Sequence, residues 1–336
     1  MWGLAGHDWA VGVLSSSLAE EKISHAYLFT GPPGIGKSTL ALKLAQALLC
    51  ESKDKPCGEC EPCRKTLKGI HPDVYVVDLR YQARLREEPE EAQTELRIDT
   101  IRSVTQDAGL KPFEARRKIL VIPDAQNLTT QAGNALLKTL EEPPAHVVLL
   151  LTAADTRLLL PTIVSRCQVL ALRPVPFKTI QDELLQRHGV DEERGRLLAR
   201  LGGGRIGWAI RASQDASLLQ RREHTLRDLG ALPRRGRLDR LEYARRMAGK
   251  RDSIQDTLEL WLSWWRDLLL ITGGSPDTIG NVDVAASLEQ EARRYDLRSV
   301  VQFIKAIHRT QRTLEMNADP RLALEVLMLS LPARTD

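Results

Sequence analysis

The chain has 336 residues, 43% of them hydrophobic and 4% aromatic, and its formal net charge is +4. This length predicts two or three domains, and the composition, rich in Leu and Ala, favours a helix-rich α/β fold. The mild charge does not by itself indicate nucleic-acid binding, no apolar run is long enough to span a bilayer, and the N-terminus lacks a secretory signal pattern. A cytoplasmic protein that does not enter a membrane is therefore expected.

Strand-like and helix-like segments alternate along the first half of the chain. Short apolar runs bounded by turn residues predict strands at 26–30, 74–78, 118–122, 147–152 and 168–172. Helices are predicted at 37–49, 98–108 and 130–140, and the polar, mostly acidic segment 84–95 is predicted to be an exposed loop. This alternation indicates a parallel sheet that is buried between helices on both faces.

The strand signals end near Pro174, and the rest of the chain is predicted to be helical. A helix at 179–187 is followed by three glycines at 202–204, and a second loop is expected at 273–276. The apolar stripes of the later helices predict a helical bundle, with Trp261, Trp264 and Trp265 in its core. The basic segment 234–237 is interpreted as a solvated loop.

The strongest motif is a phosphate-binding loop of the form G-x-x-x-x-G-K-[ST], which follows a predicted strand and opens a predicted helix. Backbone N–H groups of such a loop converge on phosphate, the lysine neutralises β/γ-phosphate oxygens, and the serine ligates Mg²⁺. ATP or ADP with Mg²⁺ is therefore the expected ligand. The residues predicted to bind it are Gly31, Pro32, Pro33, Gly34, Ile35, Gly36, Lys37, Ser38 and Thr39.

The segment that should supply the hydrolytic acids departs from the usual pattern. Hydrolysis needs a carboxylate at the end of the 118–122 strand to hold Mg²⁺ and a neighbouring acid to orient water. Pro123 occupies the first of these positions and Asp124 the second. The chain is therefore expected to bind nucleotide but to hydrolyse it poorly. The alternative is that Asp124 shifts in register and serves as the Mg²⁺ ligand.

Four cysteines follow the P-loop helix at close spacing: Cys50, Cys57, Cys60 and Cys63. Four thiolates in a cytosolic chain indicate a tetrahedral structural Zn²⁺ site with no position left for a catalytic water. Disulfides are the alternative, which a reducing compartment disfavours. The fifth, Cys167, is interpreted as a packed thiol.

Arg166 precedes the last predicted strand, within Ser165-Arg166-Cys167. An arginine in this position is either an ordinary surface charge or an arginine finger that reaches the γ-phosphate of a neighbouring subunit, and sequence position alone leaves both readings open. A finger, where it operates, accelerates phosphoryl transfer by roughly 10³–10⁵.

Together these motifs resemble the clamp-loader ATPase subunits of bacterial DNA polymerase III, within the AAA+ superfamily. The resemblance spans essentially the whole chain and implies an α/β plus all-α fold. It implies an AAA+ P-loop domain at 1–173 with a parallel sheet and a zinc module inserted at about 50–63, a small helical lid domain at 174–213, and a helical collar domain at 214–336 that mediates oligomerisation. It also makes Thr152 a sensor 1 candidate. Besides the P-loop, the cysteines and Ser165-Arg166-Cys167, the segments that carry the resemblance are 25–29, 71–73, 134–144 and 317–325.

Two subunit classes of this family share the pattern, the gamma/tau motor ATPase and delta-prime. The motor class has Asp-Glu where this chain has Pro123-Asp124, and a sensor 2 arginine where this chain has Gly207, with Arg205 two residues earlier. These departures, and the absence of an extension after the collar, resemble delta-prime. A motor ATPase is the alternative. An AAA+ protein outside the replisome is disfavoured by the cysteine module.

Delta-prime, by resemblance, occupies a fixed place in a five-subunit ring with gamma/tau and delta. The ring grips the sliding clamp and primed DNA and loads the clamp during replication. Arg166 would then complete the ATP site of the adjacent motor subunit. The chain itself would be a component of the DNA polymerase III holoenzyme without independent ATPase activity.

Overall fold

The computed structural model describes residues 2–249, 251–315 and 318–332. The strands are β1 (Ala26–Thr30), β2 (Val74–Val76), β3 (Lys118–Ile122), β4 (Val147–Ala153) and β5 (Gln168–Ala171). The helices up to β5 are α1 (Asp8–Ala19), α2 (Lys37–Leu49), α3 (Glu61–Leu67), α4 (Leu79–Arg86), α5 (Ile98–Gly109), α6 (Thr130–Glu141) and α7 (Pro161–Val164). The helices after β5 are α8 (Phe177–His188), α9 (Glu192–Gly202), α10 (Ile206–Gln214), α11 (Ala216–Ala231), α12 (Arg237–Ala248), α13 (Arg251–Thr272), α14 (Ala285–Ala292), α15 (Leu297–Glu315) and α16 (Pro320–Leu329). Short 3-10 helices lie at Glu90–Ala92, Ala125–Asn127, Thr156–Leu158, Leu232–Arg234, Pro276–Thr278 and Val282–Val284.

The strands form one parallel sheet in the order β2-β3-β4-β1-β5. Successive side chains of the central strands enter two separate hydrophobic cores. For example, Leu120 and Leu149 pack on one face, and Val121 and Val148 pack on the other. Both faces are buried because helices cover both, which explains why these strands are nearly continuous apolar runs. The predicted buried parallel sheet is confirmed.

Two parts of the predicted strand and loop pattern are wrong, and one side chain explains both. The strand predicted at 74–78 ends at Val76, and residues 84–86 of the predicted loop belong to α4. The Asp78 carboxylate accepts a hydrogen bond from the N–H of Tyr81, at 2.8 Å, and caps α4. An aspartate in this position starts a helix instead of extending a strand.

Backbone contacts divide the chain into two compact units. The first comprises Met1–Ile180 and Gly204–Trp208, and the second comprises Gln181–Gly203 and Ala209–Asp336. Of the C-terminal motif, Asn317 lies outside the described residues, as do residues 1 and 333–336 at the predicted outer domain ends.

The second unit is entirely helical in its described part, and its core contains the three predicted tryptophans. Trp261, Trp264 and Trp265 are at most 5% exposed, which confirms their predicted burial. Trp265 packs against Tyr295 and Phe303, with ring centroids 5.2 and 4.6 Å apart. These tryptophans are therefore packing residues. Among the described residues, none of the helices combines the length and the hydropathy that crossing a membrane requires.

Candidate nucleotide site and metal centre

The P-loop connects the end of β1 to the start of α2, and glycines allow its shape. Gly36 precedes α2 with a φ of 114°, in the region that disfavours side chains. A Cβ atom on Gly31, with a φ of 142°, would lie 2.8 Å from the carbonyl oxygen of Leu172. The first N–H groups of α2 have no carbonyl partner within the helix, and such groups at a helix N-terminus can bind an anion.

Backbone carbonyl groups of the loop make hydrogen-bond contacts with N–H groups and side chains of the same chain. The Gly34 oxygen accepts from the N–H of Gly207 at 2.8 Å, and the Ile35 oxygen lies 2.8 Å from Nε2 of His7. The Lys37 ammonium donates to the Gly31 oxygen at 2.7 Å and to the Pro32 oxygen at 3.1 Å. A phosphate would compete with these carbonyls for the Lys37 ammonium.

His7 is a site residue that the sequence analysis missed. Its side chain is 1% exposed, and Nε2 contacts the Ile35 oxygen across 28 positions of sequence. A Cβ atom on Gly36 would lie 3.4 Å from the same nitrogen. His7 therefore fixes the P-loop from the N-terminal segment. No local pattern could reveal it, because the contact exists only in the folded chain.

The end of β3 and the end of β4 meet beside the P-loop strand. The N–H of Asp124 donates to Oγ1 of the buried Thr152 at 3.0 Å, so the structure brings these two candidates together. Asp124 is exposed, has a φ of 47°, and accepts from the Gln126 amide at 3.3 Å. Its backbone, and not its carboxylate, contacts Thr152. Pro123 occupies the position that would otherwise supply an acid directly after the strand.

Residues 204–208, where the resemblance implies sensor 2, belong to the first compact unit. A Cβ atom on Gly207 would lie 2.9 Å from the backbone oxygen of Gly34. Only glycine therefore allows this backbone to approach the loop so closely. The Arg205 guanidinium lies over the Trp208 ring, 5.7 Å from its centroid.

The four clustered cysteines are brought together by two helix ends. Cys50 follows α2, Cys60 precedes α3, and Cys63 lies within α3. The four sulfur atoms lie within 4.8 Å of one another, and the Sγ atoms of Cys50 and Cys60 are 3.9 Å apart. Tetrahedral Zn²⁺ with bonds of about 2.3 Å needs sulfur separations of about 3.8 Å. The donor set therefore fits one metal ion, and all five cysteines of the chain are free of disulfides.

The surroundings of the four cysteines shift the pKa values of individual thiols in different directions. The N–H of Cys60 donates to Sγ of Cys57 at 3.3 Å. This hydrogen bond has the largest effect among the contacts that lower the pKa of Cys57 to about 6. Burial raises the pKa of Cys63. The buried Gln46 of α2 donates to the Cys63 carbonyl at 2.8 Å and joins the cysteine module to the P-loop helix. Cys167 packs partly buried beside the core, and burial raises its pKa to about 12.

The His71-Pro72-Asp73 segment has a structural explanation. The Asp73 carboxylate accepts hydrogen bonds from the N–H groups of Phe113, Glu114 and Ala115, at 2.6, 2.9 and 2.9 Å. His71 Nδ1 accepts from the N–H of Asp73 at 3.1 Å. This segment therefore holds the turn before β3 in place. The Phe113 side chain in that turn is 84% exposed.

Arg166 lies between α7 and β5, and its guanidinium contacts residues of α6 and α7. Nη2 is 2.7 Å from Oε1 of Glu141, the last residue of α6, and Nη1 donates to the Thr162 carbonyl at 2.9 Å. The Arg166 side chain is 35% exposed and that of Glu141 is 50% exposed. The arginine is therefore held at the surface and is not part of the core.

A P-loop that follows β1, the neighbour of the middle strand β4 in a parallel sheet of order β2-β3-β4-β1-β5, defines a P-loop protein of the AAA+ class. The chain belongs to the family described as DNA polymerase III, delta subunit, whose model matches residues 6–176. This membership agrees with the clamp-loader resemblance of its motifs.

Individual relatives extend the similarity along the chain. The chain is 28% identical over 323 residues to DNA polymerase III subunit delta' of Bacillus subtilis strain 168, covering 95% of this chain and 94% of that protein. It is 25% identical to subunit tau of the same organism, over 98% of this chain but only 60% of the tau protein. A solved gamma subunit-related protein of DNA polymerase III from Thermotoga maritima is 17% identical, covering 94% of this chain and 97% of that one, with a TM-score of 0.40.

Proposed function

We propose that this chain is a delta-prime-type subunit of a DNA polymerase III clamp loader, which binds nucleotide but hydrolyses it poorly. The observation that carries the proposal is a P-loop with its backbone in place, together with a β3 strand that Pro123 follows directly. Without a carboxylate at that position, Mg²⁺ and the attacking water lack their usual ligand and base. Gly207, whose Cβ position lies against Gly34, excludes an arginine at the same place.

The proposal assigns roles to the sites described above. Residues 31–39 would hold ATP or ADP with Mg²⁺, and the four clustered cysteines would hold a structural Zn²⁺. Arg166 would act as a trans arginine finger in the ATP site of an adjacent gamma/tau subunit. The division into a P-loop domain, a lid (174–213) and a collar (214–336) belongs to the same proposal, as does a five-subunit ring with delta that loads the sliding clamp onto primed DNA in the cytoplasm.

Nucleotide binding and turnover by the purified chain test the proposal directly. We expect fluorescent ADP and ATP to bind in the presence of Mg²⁺, and we expect no turnover with or without primed DNA. Lys37→Ala should abolish binding because the Lys37 ammonium is the loop's cation. Lys43→Ala, in the same helix but outside the motif, is the matched control and should bind normally.

A gamma/tau-type motor ATPase is the second candidate, because the Asp124 backbone meets Thr152 beside an intact P-loop. Under that reading, the chain alone would show DNA-stimulated turnover that Lys37→Ala and Asp124→Ala both abolish. Such turnover would replace the delta-prime proposal with the motor reading.

A further inference from the structure

We propose that Glu141 is a positioning residue for Arg166, which fixes the guanidinium in one orientation before an anionic group of a neighbouring subunit meets it. The inference rests on the proposed role of Arg166 as a trans arginine finger. It adds a second residue to that role and states how the two act together.

The contacts hold the guanidinium from two separate helices. Nη2 pairs with Glu141 Oε1 at 2.7 Å, and Nη1 donates to the Thr162 carbonyl of α7 at 2.9 Å. One contact would leave an arginine free to rotate about the bonded nitrogen. Two contacts on different nitrogens, from different elements, fix both the place and the plane of the group.

The electrostatics of the two contacts support the same assignment. The Arg166 cation meets the carboxylate of Glu141, the last residue of α6, and the carbonyl oxygen of Thr162 in the short helix α7, and both carry negative charge or partial negative charge. The pair is nevertheless exposed, at 35% for Arg166 and 50% for Glu141. An ion pair this exposed contributes little to the free energy of unfolding. Its effect is therefore expected in the placement of Arg166 and not in the stability of the fold.

The first turn of α6 packs closely against the beginning of α7. A Cβ atom on Gly133 would lie 3.0 Å from Cδ1 of Leu160 and 3.5 Å from Cδ1 of Ile163. The absence of a side chain at Gly133 allows the close approach. The segment 134–144, which resembles the clamp-loader pattern, thus contains the carboxylate that contacts the arginine of Ser165-Arg166-Cys167.

A double-mutant cycle in the complex reconstituted with the gamma/tau-type and delta subunits tests the assignment. The variants are E141A, E141Q, R166A and E141A/R166A, and E142A removes the same charge one residue further along the exposed helix end. The readouts are kcat and KM of DNA-stimulated ATP turnover, complex assembly, and the thermal unfolding of each free chain.

We expect E141A to lower the Arg166-dependent part of kcat about 3- to 10-fold, with KM, assembly and unfolding temperature unchanged. E141Q should retain more activity than E141A because its amide oxygen still accepts a hydrogen bond. E142A should match the wild type, and E141A/R166A should match R166A.

Four outcomes would overturn the inference. Turnover that rises with E141A would mean that Glu141 holds the finger back instead of positioning it. An unchanged E141A beside an impaired R166A, or a double variant weaker than R166A, would remove Glu141 from this role while leaving the finger. An R166A complex with wild-type turnover would overturn the proposed finger itself and this inference with it.

Discussion

Replacing Asp73 by alanine should destabilise the first unit and release the turn at 113–115. Its carboxylate is fully buried and accepts three backbone hydrogen bonds, at 2.6, 2.9 and 2.9 Å. Each hydrogen bond to a charged group is worth about 1.5–3 kcal/mol, but the three share one acceptor whose burial is costly. We therefore expect the free energy of unfolding to fall by about 3–4 kcal/mol for D73A, and by less for D73N, which keeps one acceptor oxygen.

The same side chain predicts a pH dependence whose sign follows from its pKa. Burial, the largest influence, favours the neutral acid, but the N–H groups of Phe113, Glu114 and Ala115 together outweigh it and lower the Asp73 pKa. A lowered pKa in the folded state contributes stability that is fully present above the unfolded value of about 3.9. This contribution is lost as the pH falls below that value and through the folded pKa. D73N should lack this part of the acid transition.

Urea unfolding and hydrogen exchange of the 110–117 segment are the assays. Asp78→Ala is the matched control, because the Asp78 carboxylate accepts one capping hydrogen bond from Tyr81 and its loss should cost about 1 kcal/mol. In D73A the three amides should exchange faster by about tenfold for every 1.4 kcal/mol lost. If D73A and D78A were equally stable and the 113–115 amides kept their protection, the hydrogen-bond reasoning would be refuted.

Two further pairs of substitutions test the P-loop and the cysteine module. G207A should weaken nucleotide binding and cost about 1–3 kcal/mol of stability, because its Cβ would lie 2.9 Å from the Gly34 oxygen. G230A is the control, because Gly230 lies in α11 where an added Cβ atom would meet nothing within 4 Å, and it should be neutral or stabilising. Calorimetry and nucleotide titration are the assays. Equal losses of stability and of nucleotide affinity in the two variants would contradict this reasoning. Metal analysis should find about one zinc per chain in the wild type and in C167S but none in C60S, and a zinc-free wild type would exclude the metal centre.

Local sequence pattern was sufficient for much of the sheet and for the P-loop. The strands predicted at 26–30 and 118–122 and the helix at 37–49 agree with the structure at both ends. These elements are contiguous in sequence, so apolar runs and turn residues encode them directly. The cysteine spacing likewise predicted a cluster, and its four sulfur atoms lie within 4.8 Å of one another. Within the loop predicted at 84–95, residues 84–86 were assigned wrongly, because the cap at Asp78 starts a helix that extends to Arg86.

The placement of the site residues depends on contacts between distant positions, which only the tertiary structure decided. His7 meets Ile35 across 28 residues, and Asp73 meets Phe113 across 40. Gly207 approaches Gly34 although the two are separated by most of the first unit. Motifs identified the P-loop and the cysteine cluster because the residues of each are close together in sequence. Which groups touch is set by how the strands and helices pack, so the sequence alone predicted the P-loop and the cysteine cluster but not the hydrogen bonds that hold the loop and Arg166 in place.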